Sequence, residues 1–167
     1  NTWIHKSKDL VHWTYVGGAY EDDKKPSWEP EAGIWAPDIN YINGKYVMYY
    51  SLSKWGGGAT CGIGVSVSDK PEGPFTDQGK LFRSNEIDVH NSIDPFYIED
   101  NGKKYLFWGS WYGIWGVELT EDGLGLKGGI ENAKATKIQV AANTGGTNAY
   151  EGSYILKRGK YYYLFCS

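Results

Sequence analysis

The sequence predicts an all-β fold, a β-propeller of four-stranded antiparallel blades, here two complete blades flanked by two half blades. Three observations predict it. A strand–turn–strand layout opened by an acid occurs three times, at Asp38, Asp94 and Glu151, spaced 56 and 57 residues apart. The turn glycines that follow, Gly44, Gly102 and Gly159, are spaced 58 and 57. A period of this length with four strand signals per unit is the mark of a propeller blade. Finally, aromatic residues make up 16% of the chain and glycines number 23, which suits strands joined by many turns. No helical periodicity stands out, so helix is expected to be minimal.

Taken in order, residues 1–20 read as the last two strands of a first blade. Trp3 to Ser7 and His12 to Val16 flank a turn, and Ser7-Lys8-Asp9 resembles Ser68-Asp69-Lys70 of the next unit. Residues 21–33, charged and carrying Pro26, Pro30 and Gly33, form a surface loop. Residues 34–82 make the second blade, with strands at Pro37–Ile42, Lys45–Ser51, Gly62–Ser68 and Phe75–Phe82. Asn43-Gly44 is a strong short hairpin signal. The Gly-rich stretch from Lys54 to Thr60 bends at a loop tip, and Asp69 to Pro74 turns on two prolines and a glycine.

Residues 91–130 repeat the meander as a third blade. Its third strand is Gly113–Leu119, and Asp122-Gly123 turns into a weak fourth. Residues 131–149 are a mixed connection ending in the polar loop Asn143–Asn148. Residues 150–167 start a fourth blade. A propeller closes with at least four blades, and an open arc exposes its edges, so the chain is expected to be a piece of a larger propeller.

Composition narrows the partners. Net charge is −3 and no basic run is present, which argues against nucleic acid. No apolar run approaches the ~18 residues of a membrane span, and no signal-peptide pattern is visible at Asn1-Thr2-Trp3. Cys61 and Cys166 lack metal-ligand spacing; two unpaired thiols are the default reading, with a disulfide left open. Tyr and Trp at this level also suit sugar binding, since sugar C–H faces lie against aromatic rings.

The repeated acid carries the chemistry. The first strand of each blade is innermost, so equivalent acids converge at one mouth of the central channel. Carboxylates held together do not all ionise cheaply, so one is kept protonated as a donor while a neighbour stays charged. Paired carboxylates in an aromatic cleft point to glycoside hydrolysis. The acid precedes its turn glycine by 6 residues at Asp38 and by 8 at Asp94 and Glu151, so Asp38 sits at a different depth.

The motifs Trp35-Ala36-Pro37-Asp38, Ser92-Ile93-Asp94-Pro95 and Tyr150-Glu151-Gly152-Ser153-Tyr154-Ile155, with Lys157 to Phe165, resemble glycoside hydrolase family 43 over nearly the whole chain. Phe107-Trp108-Gly109-Ser110-Trp111 is most similar to endo-1,5-α-L-arabinanases. The resemblance implies a five-bladed propeller, secreted or periplasmic, that cuts arabinan or xylan side chains by inversion. It implies Glu151 as general acid and Asp94 as the carboxylate that raises the pKa of that acid and orients it. The general base is implied on the first blade, about one period before Asp38 and outside these residues. Trp35, Asp38, His90, Asn91, Ser110 and Trp111 are the expected substrate-binding residues. No cofactor is required, and no metal ligand is assigned in this chain. A calcium ion in the channel of the full protein is a further implication, held partly by a histidine of the last blade.

Other readings remain at this point. A β-xylosidase or exo-acting arabinofuranosidase shares the motifs and differs in the loops at Trp55–Thr60 and Asn143–Asn148. A non-catalytic sugar-binding propeller has no need of both Asp94 and Glu151. A protein-binding scaffold would carry Gly-His and Trp-Asp repeats, which are missing. No Gly-x-Ser-x-Gly elbow supports a serine hydrolase.

Overall fold

A computed structural model describes residues 1–142 and 150–167. The polar loop Asn143–Asn148 lies outside the described residues. The chain is all-β, as its pattern predicts. Strands β1 (Trp3–Ser7) and β2 (Trp13–Gly18) form a hairpin. Its turn is built by side chains: the Ser7 hydroxyl accepts the N–H groups of Asp9 and Leu10, and the Asp9 carboxylate accepts those of Val11 and His12. After a short 3₁₀ turn at Asp22–Lys24, the strands β3 (Gly33–Ile42), β4 (Lys45–Ser53), β5 (Gly62–Ser68) and β6 (Thr76–Arg83) make one antiparallel sheet in that order.

Helix α1 (Ser84–Ile87) leads to β7 (Phe96–Asp100), β8 (Lys103–Trp108) and β9 (Ile114–Glu118) of a second four-stranded sheet. Helix α2 (Gly129–Thr136) and β10 (Ile138–Ala141) follow, then the hairpin of β11 (Tyr154–Arg158) and β12 (Tyr161–Phe165). The hairpins β3–β4 and β7–β8 turn on Asn-Gly pairs with both residues at positive φ, 50° and 84° at Asn43-Gly44 and 50° and 73° at Asn101-Gly102. This is the turn whose twist matches the strands.

One expectation is corrected. The fourth strand of the third blade is Ile138–Ala141, paired with β9, and not the stretch after Asp122-Gly123. That stretch makes a single bridge, Leu119 to Leu126, and then α2 intervenes. The helix is short and opens on Gly128-Gly129, so its periodicity is faint. It forms because Ala133 and Ile130 reach the core beside Leu126.

The blades stack face to face. Tyr49 of β4 stacks on Tyr97 of β7 at 5.7 Å, and Phe82 of β6 meets Trp108 of β8 at 4.8 Å. On the other side of the first sheet, Met48 and Phe75 pack with Ala19 and Tyr20. Strand β4 is thus covered on both faces, which explains its nearly continuous apolar run. The inner strand β7 touches β3 on one side and β11 on the other, the arrangement of successive blades around a channel.

Outer faces remain open. Tyr154, Tyr161, Tyr163 and Phe165 of the last hairpin are about half exposed, as are Trp3, Trp13 and Tyr15 of the first. An apolar cavity of about 470 Å³ between the second four-stranded sheet and β11–β12 is lined by Ile98, Phe107, Val140, Ile155 and Leu164. Its one carboxylate, Asp100, is tied to Lys157 and to the Tyr162 hydroxyl, so it is free for no chemistry.

Candidate active site

The register of the hairpins decides which residues meet. Trp35 lies opposite Ser51, Phe96 opposite Phe107, and Tyr154 opposite Phe165. The start of each inner strand therefore lies beside the end of the second strand. Residues just before β7 and β11, and just after β4 and β8, collect at one mouth. A cleft of about 570 Å³ opens there, lined by Trp35, Trp55, His90, Asn91, Asp94, Ser110, Trp111, Tyr112 and Glu151 among others. Of the eight expected site residues, it gathers seven.

Asp38 is the eighth and does not line the cleft. Its carboxylate accepts the Tyr97 backbone N–H at 2.7 Å and the Asn40 amide at 3.0 Å. The residue equivalent to Asp94 is Ala36, because a register shift falls between Trp35 and Asp38. Asp38 is a link between inner strands, which corrects its expected place in the sugar pocket.

Asp94 sits at φ +60° immediately before Pro95, a conformation that L residues adopt at a cost and that recurs at functional sites. Its N–H donates to the Ser51 hydroxyl at 2.9 Å. Burial pushes the Asp94 carboxyl above the usual range, the charge of Glu151 adds to this, and the Gly152 N–H partly offsets it. Glu151 is fixed through its backbone, which exchanges hydrogen bonds with Ser167 at 3.0 and 2.9 Å and extends the β11–β12 ladder. Its Oε2 accepts the Ser110 hydroxyl at 2.6 Å.

The cleft walls are aromatic. The His90 ring meets Tyr112 edge-on at 4.7 Å, over Gly58, where a Cβ would come within 2.5 Å of the ring. Trp111 is 61% exposed at φ +64°, and Trp55 is 95% exposed on the Gly-rich loop. Trp55 and Tyr112 were not among the expected site residues. The signal for Trp55 was present in Lys54-Trp55-Gly56-Gly57-Gly58, a large aromatic in a stretch with no strand to bury it. Cys61 and Cys166 are free thiols. Among the described residues no group of three His, Cys, Asp or Glu is placed to hold a metal ion.

The propeller thus holds two carboxylates, one above its usual range, in a cleft bordered by tryptophans. The chain belongs to the glycosyl hydrolases family 43, whose model matches residues 1–167. It is 34% identical over 158 residues to the arabinan endo-1,5-alpha-L-arabinosidase A of Aspergillus niger, covering 93% of this chain and 47% of that protein. The exo-1,5-alpha-L-arabinanase from a bovine ruminal metagenomic library superposes with a TM-score of 0.77 at 33% identity, over 98% of this chain and 56% of that one. The Cellvibrio cellulosa alpha-L-arabinanase complexed with arabinohexaose gives 0.80 at 29% identity, over 98% and 57%. The chain spans about half the length of these relatives.

Proposed function

We propose that this chain carries the acid side of an inverting hydrolase that cleaves α-1,5-linked arabinofuranosyl bonds of arabinan, acting outside the cell where that polymer lies. One observation carries the reading: Asp94 and Glu151 share a single cleft lined by Trp35, Trp55 and Trp111. A module that only binds sugar has no use for a second carboxylate beside the first.

Glu151 gives its proton to the glycosidic oxygen as the bond to the anomeric carbon breaks, which turns a poor leaving group into an alcohol. Asp94 holds negative charge near that proton and orients the acid. Water enters from the opposite face of the sugar, and its proton passes to a base about 6.5–9.5 Å from the acid, giving inversion. Among the described residues no third carboxylate lines the cleft. The reading therefore places the base on a further blade, beyond these residues. The tryptophan walls hold furanose rings by their C–H faces.

The test is Glu151→Ala in the full-length enzyme. Turnover of arabinan, whose leaving group needs protonation, is expected to fall by about 10²–10⁴-fold. Turnover of 4-nitrophenyl α-L-arabinofuranoside, whose leaving group does not, falls far less. Equal losses on the two substrates would remove Glu151 from the acid role.

A further inference from the structure

We infer that Ser110 and Asn91 are positioning residues that confine the proton of Glu151 to one of its two oxygens. The inference rests on Glu151 being the general acid. It also departs from the expectation that these two side chains bind sugar.

Ser110 is 1% exposed. Its hydroxyl has one proton, and that proton goes to Glu151 Oε2 at 2.6 Å. One of its two lone pairs receives the Asn91 amide N–H at 3.0 Å. A buried hydroxyl so occupied has no proton to donate to a sugar. Behind it, Asn91 Oδ1 faces the Cys61 thiol at 3.8 Å and the amide nitrogen faces Ser110. Reversed, Asn91 would take the hydroxyl proton away from Glu151.

Both residues are held by their backbones. Asn91 lies at φ +55°, and its N–H donates to the Gly58 carbonyl at 2.6 Å. Ser110 lies in the turn from Gly109 to Gly113. There the Gly109 N–H donates to the Ile93 carbonyl at 2.9 Å, and a Cβ on Gly109 would come 2.1 Å from the Gly113 carbonyl oxygen. No side chain fits at that position, so the turn has no slack.

An oxygen that accepts a short hydrogen bond is the poorer place for a proton. With Oε2 occupied by Ser110, the proton that Glu151 transfers rides on Oε1. Without the hydroxyl the proton is shared between both oxygens, the side chain turns more freely, and the carboxylate loses a donor that favoured its charged form.

The experiment uses the full-length enzyme with Ser110→Ala and Asn91→Gly; glycine keeps the positive φ. Activity is read on arabinan and on 4-nitrophenyl α-L-arabinofuranoside across pH, with thermal unfolding as the fold control. For Ser110→Ala, kcat on arabinan is expected to fall by about tenfold to a hundredfold, the scale of a misplaced reacting group. KM stays unchanged, the aryl substrate is affected less, and the alkaline limb of kcat/KM moves to higher pH. Asn91→Gly moves both readouts in the same direction by a smaller amount, and it alone decides if Ser110→Ala does not fold. An increase in KM with kcat and the alkaline limb unmoved would overturn the inference and return both residues to sugar binding. Glu151→Ala run in parallel separates the two claims: if its losses are equal on both substrates, the general-acid reading fails; if they are selective and the Ser110 and Asn91 variants do not respond, only the positioning role fails.

Discussion

Ala36 in the second blade stands where Asp94 stands in the third. Both have positive φ, 43° and 60°, both precede a proline, and both lie eight residues before a turn glycine. Asp38 is two residues further along the same strand, past a register shift in the pairing with β4. There it meets the backbone of the neighbouring inner strand, and its carboxylate accepts the Tyr97 N–H.

Asp38→Ala is therefore expected to act on stability. It leaves the Tyr97 N–H without its partner, a loss of about 1–3 kcal/mol, read as a lower urea midpoint. The ratio of activity on arabinan to activity on the aryl arabinofuranoside stays as in the parent. A variant that keeps full stability and loses arabinan turnover would put Asp38 back in the chemistry.

This offset also shows what was legible in the sequence. The hairpins were, because Asn43-Gly44 and Asn101-Gly102 demand one turn type and the alternation around them fixes the faces. Asp94 and Glu151 were legible by their equal distance from a turn glycine, and the unequal distance of Asp38 already marked it as different. The last strand of the third blade was not, because β10 follows a helix of only eight residues and is short and largely exposed. Ser110 could be placed near the mouth, but its bond to Glu151 depends on the turn of Gly109 to Gly113, whose geometry no local pattern encodes.

Asp94 links activity to stability. Burial and the neighbouring Glu151 raise its folded-state pKa above the unfolded value, so the ionised group destabilises the fold at neutral pH. That penalty shrinks as pH falls below the folded value, where the native group takes up its proton, and is gone below the unfolded value. Asp94→Asn is expected to raise Tm at pH 7, with the gain shrinking to nothing in acid, while arabinan turnover drops. A gain that persists unchanged in acid would mean that burial of this charge is not its source. The trade of stability for activity is common at such sites.

Trp55 offers the opposite case. It is 95% exposed and borders the cleft from the Gly-rich loop. Trp55→Ala should leave Tm within the range of an ordinary surface change, about 0.5 kcal/mol or less. KM for arabino-oligosaccharides long enough to reach the loop should rise severalfold, with kcat held. An unchanged KM across oligosaccharide lengths would show that this ring touches no sugar.

The loop that carries Trp55 is itself held by a buried ion pair. Glu29, 7% exposed, is paired with Arg83 and accepts the Thr60 hydroxyl at 2.8 Å; Arg83 also donates to the Thr60 and Trp28 carbonyls and lies 5.2 Å over the Trp28 ring. Burial pushes the Glu29 carboxyl up, but the hydrogen bonds from Arg83 and Thr60 outweigh it and hold the group below the usual range. A depressed carboxylate contributes stability that is present above its unfolded value and lost as pH falls through the folded one. Arg83→Ala leaves that charge buried and unpaired, and a loss of about 3–5 kcal/mol is expected at pH 7. Protonation then relieves the variant where it harms the parent, so the gap between their urea midpoints narrows on acidification. A gap that is constant from pH 7 to pH 4 would show that the arginine acts by packing on Trp28 and not through the carboxylate.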